Sequence, residues 1–506
     1  MAQPSATPGS PEFSGLRRLF WPVHGFELKK FLPMFLMFFF ISLVYSLLRN
    51  TKDSFIVTAP GGGADLIPFL KVYGVIPISV IYLLVFSKLS NRLEKPRLFT
   101  VALLPFLVFF GLFALVFPVR DSIQPVAAMA WLQGQLPPWL ATLAALGRHW
   151  LLSLFYVMAE LWGSVALSLL FWGFANDVVR VEESKRFYAL FGLGANLALV
   201  AVQGANQLIH SLEGILLSRS AMTPWTAYVT VLMAVVMLCI LTILGIYHWI
   251  QRRVLSDPRF YPNQERQAVL QAKPKMAMGE AFRFLARSRY LLCIGIMVIG
   301  YGIAINLIEV TWKTHLGLRY PDPKDYQDYM AGFSLATGIT TIILMLGVTN
   351  NVIRLRGWSA AALITPAVLA GTGVLFFSFI LFQDRLGPLL ERFGTTPLGM
   401  AVLVGFIQNV MSKASKYSLF DPTKEMAYIP LDQESKVKGK AAIDVVGARL
   451  GKAGGSIIQQ VLIAISHSLR AVPGQIAGIL LLVIAAWIWA TVTLGKAFQS
   501  LTRKNP

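Results

Sequence analysis

The chain has 506 residues, of which 56% are hydrophobic and only 14% charged, with a mean hydropathy of +0.62. Soluble domains carry about 25% charged residues, so the composition excludes an ordinary soluble enzyme and indicates an all-α polytopic membrane protein. The net charge of +20 looks at first like a nucleic-acid binder, but it follows the loops.

Residues 1–27 contain no apolar core, so no cleavable signal peptide is expected and the segment reads as cytoplasmic. Apolar runs near the length that crosses a bilayer then recur at 30–50, 66–87, 98–118, 149–173, 187–210, 226–250, 290–312, 329–350, 358–382, 396–412, 442–467 and 474–495. They predict twelve transmembrane helices. With both termini inside, Lys and Arg on the inner segments outnumber those outside by more than three to one, as the positive-inside rule requires. That asymmetry accounts for most of the net charge and leaves nucleic acid unnecessary as a partner.

Short outer segments punctuate the spans. Gly61-Gly62-Gly63 after Pro60 has no strand before it and reads as a turn, not a dinucleotide fingerprint. Residues 120–147, with Pro125, Pro137 and Pro138, read as an outside loop insertion. The basic segment 251–289, with Pro258, Pro262 and Pro274, falls mid-chain and reads as a cytoplasmic linker between six-helix halves at 28–250 and 290–497. Residues 498–506 form the cytoplasmic tail.

The halves echo each other in parallel. Tyr45 to Asn50 repeats as Tyr301 to Asn306, an offset that sets Asp53 against Glu309, and Glu183-Ser184-Lys185 repeats as Glu434-Ser435-Lys436. Two parallel six-helix halves joined by a basic loop predict a major-facilitator-like architecture. Its substrate site lies near the midplane between the halves.

Charges inside the spans are the informative minority. A charge at the centre of a membrane helix costs roughly 2.5–3.5 kcal/mol on insertion scales, and such residues face a cavity or a partner. Span one ends in Arg49-Asn50-Thr51-Lys52-Asp53, with Arg49 and Lys52 on one helix face. Two readings are open there: an anchor whose cations snorkel to water, or a cavity wall. Glu160 lies deep in span four and Lys71 in span two. Glu309 lies late in span seven, four residues before Lys313, a spacing that suits a salt bridge. Arg449 and Lys452 lie in a Gly/Ala-rich stretch that permits close helix approach. Cations outnumber acids in this set, and a cationic cavity selects an anion. Arg and Lys are the usual phosphate ligands, so the expected cargo is an organic or phosphorylated anion.

Enzymatic readings fail on the motifs. Gly447-Ala448-Arg449-Leu450-Gly451-Lys452-Ala453 is one residue short of a phosphate-binding loop and lacks its hydroxyl. The six His residues make no metal spacing, and Cys239 and Cys293 sit in apolar runs as fillers. No cofactor and no metal are expected.

Several stretches resemble the ATP/ADP translocase (nucleotide transporter) family of intracellular bacteria and plastids. They are Arg49 to Asp53, Phe174-Ala175-Asn176-Asp177, Glu182 to Tyr188, Asp421 to Leu431, Lys436 to Val446 and Gly451 to Gly455. The likeness runs from about residue 16 onward and is most like a chlamydia-type member. The resemblance implies an antiporter that takes in ATP for ADP, in a bacterial inner membrane, working as a monomer. The family's required charges fall on Lys52, Glu160 and Glu309, and its late lysine on Lys452, with Lys440 the second choice. The wider binding set adds Arg49, Arg449, Asn50, Lys313 and Asn306. An inside-negative potential opposes the net import of one negative charge by about 2.3 kcal/mol per 100 mV, so phosphate is expected to leave with ADP. The alternative within transport is proton-coupled uptake of several nucleotides by a related carrier, with Glu160 or Glu309 titrating.

Overall fold

The computed structural model describes residues 22–257, 288–431, 439, 443 and 447–504. Among them no strand occurs, and eleven helices are long and apolar enough to cross a membrane. They are α1 Leu28–Val57, α2 Ala64–Ser90, α3 Lys95–Ile123, α4 Trp150–Val178, α5 Val181–Leu217, α6 Pro224–Arg253, α7 Arg289–Arg319, α8 Pro323–Thr349, α9 Asn351–Leu381, α10 Pro397–Ala427 and α12 Pro473–Leu501. Between the last two lies α11, Ala448–Ser466. It occupies most of the predicted run 442–467, yet Arg449, Lys452, Gln459 and Gln460 make it less apolar than the others. The predicted linker 251–289 and residues 1–27 fall largely outside the described residues.

Lipid offers the backbone no hydrogen-bond partner, so each span satisfies itself as a helix. α1 packs on α4, α5 and α6 of its own half, and α7 packs correspondingly on α10, α11 and α12. Buried aromatics fill the first half: Phe55 meets Phe113, Phe117 and Phe155, and Trp162 Nε1 donates to the Ile41 carbonyl at 3.0 Å. In the second half α7 and α11 touch backbone to backbone. A Cβ on Gly302 would lie 2.8 Å from the Gly451 Cα, so the small residues there set the helix spacing.

The repeat is visible in the helix geometry. π turns interrupt α2 at Leu70–Val75 and α4 at Gly163–Phe171, and they recur in α8 at Met345–Thr349 and α10 at Lys416–Phe420. These are the second and fourth helices of each half. Such widened turns redirect side chains and gather at functional sites.

Two expectations need correction. Residues 120–147 are helical: Arg120–Ile123, Val126–Gln135 and Pro138–Arg148, the last two packed on each other. Their prolines stand at helix starts, where the missing N–H costs nothing. The tenth span does not end at 412. Its π turn carries the helix on to Ala427, so Lys413 lies buried within the span and not in a loop beyond it.

The halves meet closely at the side of the α1–α2 turn. There Asn206 and His210 of α5 contact Asp328 of α8, both at 2.7 Å, and Lys324 pairs with Glu213 at 2.7 Å. Ser54 donates to the Pro323 carbonyl at 2.7 Å, Gln460 to the Pro68 carbonyl at 3.0 Å, and Ser468 to Asp65 at 2.9 Å.

Candidate functional site

Six charged side chains form one line through the centre of the bundle. Glu160 of α4 meets Lys52 of α1 at 3.0 Å, and Lys52 meets its neighbour Asp53 at 2.8 Å. Asp53 meets Lys313 of α7 at 2.7 Å, Lys313 meets Glu309 at 3.0 Å, and Glu309 meets Lys413 of α10 at 3.1 Å. The signs alternate along the whole line, so its formal charge is zero. Alternation is what a dry interior demands, because a buried charge without a partner is far costlier than a paired one.

The line is nearly symmetric about its middle. Lys52–Glu160 joins the first and fourth helices of one half, and Glu309–Lys413 joins the first and fourth of the other with the polarity reversed. Glu160 and Lys413 each stand three residues before a π turn. Each lysine also lies over an aromatic ring, Lys52 at 4.0 Å from the Tyr156 centroid and Lys413 at 4.9 Å from that of Phe333.

Exposure separates the members. Lys52, Asp53 and Lys313 keep at most 4% of their side-chain surface, whereas Glu160 and Glu309 keep 23% and 17%. The two glutamates are therefore the parts of the line that a solute reaches.

Three further cations have no carboxylate partner among the described residues. Arg49 leaves Nε and Nη2 shielded and without a hydrogen bond, with Asp53 and Glu309 in its electrostatic reach. Lys452 is exposed and acts electrostatically on Glu160. Lys71 bonds only the Asn306 amide oxygen, at 2.5 Å. The cluster therefore carries an excess of three positive charges over a neutral ion-pair line.

The sequence pattern of the TLC ATP/ADP transporter family matches residues 7–498. The chain belongs to that family. It is 50% identical over 493 residues to the ADP,ATP carrier protein 1 of Chlamydia pneumoniae, covering 96% of this chain and 94% of that one. Against the chloroplastic ADP,ATP carrier protein 1 of Arabidopsis thaliana it is 45% identical over 475 residues, 94% of this chain and 74% of that one. The ADP,ATP carrier protein 1 of Rickettsia prowazekii is 39% identical over 500 residues, covering 97% and 98%. Among solved structures, a D-xylose–proton symporter superposes with a TM-score of 0.54 at 13% identity, covering 92% of this chain and 97% of that one. The inward-open xylose transporter of E. coli gives 0.52 at 13%, covering 93% and 96%. The fold is thus that of the major facilitators, as expected.

Within this family member the expected residues divide. Lys52, Glu160, Glu309 and Lys313 come together in the line, and Lys452 stands beside it. Asn306 borders it, donating to the Lys452 carbonyl at 3.0 Å and to Ser456 at 2.9 Å. Asn50 instead ties α1 to α8, donating to the Met330 carbonyl at 3.1 Å and to Ser334 at 3.0 Å. The two asparagines use the same device, a carbonyl and a serine four residues later. Arg449 is the second residue of α11, and Lys440 lies outside the described residues. Sequence reasoning missed Lys413, hidden behind a span ended too early. The repeat offset held the clue, since displacing Glu160 by it lands within a few residues of Lys413.

Proposed function

We propose that this chain exchanges ATP for ADP across a bacterial cell membrane by alternating access at the central cluster. The observation that carries the reading is the set of unopposed cations, Arg49, Lys71 and Lys452, beside a neutral line of ion pairs. Unpaired cations within a membrane bundle mark a substrate or ion path, and a cationic cavity selects an anion. The relatives' names as ADP,ATP carriers supply the anion's class.

In this reading the moving bodies are residues 28–250 and 290–497, with 251–289, 1–27 and 498–506 in the cytoplasm. The α1–α2 side then faces outward, and its contacts between the halves close the outer mouth. Lys52, Arg49 and Lys452 meet the phosphates. Glu160 and Glu309 hold the lysines while no substrate is bound and yield them to a phosphate. ATP carries about one more negative charge than ADP, so phosphate leaving with ADP lets the membrane potential assist import. The protein works as a monomer, its exposed apolar side chains facing lipid.

Counter-exchange in vesicles loaded with ADP and labelled phosphate tests both parts. External ATP is expected to enter unchanged and to release ADP and phosphate together. Uptake into vesicles without internal nucleotide, driven by a pH gradient, would instead support proton coupling. ADP release without phosphate would remove the charge-compensation step.

A further inference from the structure

Lys71 sits in an apolar span, where a cation is costly to insert. Lys52, Lys313 and Lys413 meet that cost with carboxylates at 3.1 Å or less. Lys71 has only a neutral amide, the Asn306 Oδ1, on the other half of the molecule. That amide is aimed. Its two hydrogens are engaged by the Lys452 carbonyl and Ser456, which leaves the oxygen as its free capacity and turns it toward α2. Lys71 is the second residue of the π turn Leu70–Val75, which breaks the regular direction of α2 side chains at that point.

We infer that Lys71 is a specificity-determining cation that waits on Asn306 across the halves and transfers to the phosphate tail of the nucleotide. The inference rests on the exchange reading given above. A phosphate oxygen accepts the same ammonium hydrogen and adds a full negative charge that the amide lacks, so its attraction for Lys71 is the greater. Lys71 therefore leaves Asn306 when the tail arrives. The longer and more negative tail of ATP gains most from a third cation beside Arg49 and Lys452.

The transfer also has a mechanical consequence. Lys71–Asn306 links α2 to α7, so an occupied site loses a tie between the halves that an empty site keeps. The empty carrier stays tied and the loaded one is released to reorient, which is the behaviour of an exchanger.

The test compares KM for ATP and for ADP in ADP-loaded vesicles. Lys71→Gln is expected to raise KM for ATP by about tenfold, the weight of one hydrogen bond to a charged group, and KM for ADP by clearly less. Lys71→Arg is expected to bring the ratio back toward that of the unsubstituted protein. If Lys71→Gln does not accumulate in the membrane, Asn306→Asp serves, because it gives Lys71 a permanent carboxylate and is expected to penalise ATP more than ADP. An unchanged ATP-to-ADP ratio in these variants would overturn the inference while leaving exchange intact. Failure of the unsubstituted protein to exchange at all would refute the transport reading itself.

Discussion

Asp53 and Lys313 meet at 2.7 Å, with almost none of either side chain exposed, and theirs is the link that joins the two halves of the ion-pair line. One residue lies near the end of α1 and the other late in α7, so the pair bridges the first helix of each half.

Removing the charges of this pair singly and together tests whether charge or side-chain shape matters. Asp53→Asn leaves Lys313 with Glu309 alone, and removing one partner of a buried pair costs about 3–5 kcal/mol. We expect a clear fall in thermal stability and loss of exchange. Asp53→Asn combined with Lys313→Gln removes both charges and leaves the pairs Lys52–Glu160 and Glu309–Lys413 balanced, so it should recover part of both, as measured by thermal aggregation and ATP uptake. No recovery in the double variant would mean that the pair does not act through charge alone.

Lys52→Gln should abolish exchange while membrane insertion survives, because Lys52 binds both Glu160 and Asp53 and borders the unopposed cations. A drop of at least about tenfold in kcat/KM corresponds to one lost bond to a charged group. Normal uptake by this variant would return Lys52 to a purely structural role.

Lys413 should behave as the second-half counterpart of Glu160. Lys413→Gln is expected to reduce exchange by about tenfold or more. Lys416→Gln, three residues on and paired with Asp421 at 2.7 Å, should have a much smaller effect. Equal effects at the two positions would contradict the reversed symmetry of the line.

The closing contacts on the α1–α2 side should part during transport. Cysteines replacing Asn206 and Asp328, whose side-chain tips touch at 2.7 Å, are expected to be joined by a short, reducible bifunctional thiol reagent. Exchange should stop and return on reduction. Cys239 and Cys293 are buried, so they leave the labelling clear. Continued exchange by a fully cross-linked carrier would show that the halves need not separate there.

His149 lies outside the spans, and burial, joined by the neighbouring Arg148 charge, holds its imidazole below the usual histidine value; the contact with the Pro60 carbonyl at 2.9 Å opposes them. A lowered value in the fold means the neutral form is favoured there. Its contribution to stability is therefore full above the unfolded value, about 6.5, and declines as pH falls below it. Melting curves between pH 7.5 and 5, about the range of this titration, should show a loss that His149→Gln reduces.

Much of this protein was legible in its sequence. Span length and loop charge are local properties of a chain that must meet lipid and water in turn, so the spans, the turn at Gly61 to Gly63 and the major-facilitator architecture could be read directly. The isolated charges Lys52, Glu160 and Glu309 stood out for the same reason, since each is costly unless something pairs with it. The pair Glu309–Lys313 followed from helix spacing alone.

The order of the pairing was decided only by tertiary structure. Nothing local tells that Asp53 reaches Lys313, that Lys413 is drawn inside by a π turn, or that Asn50 ties two helices while Asn306 holds Lys71. A buried charge must find a partner, but which one depends on helices brought together from distant parts of the chain. The sequence therefore showed that charges enter the membrane and that cations outnumber acids among them. The packing of α1, α2, α4, α7 and α10 decided which cancel and which remain for a substrate.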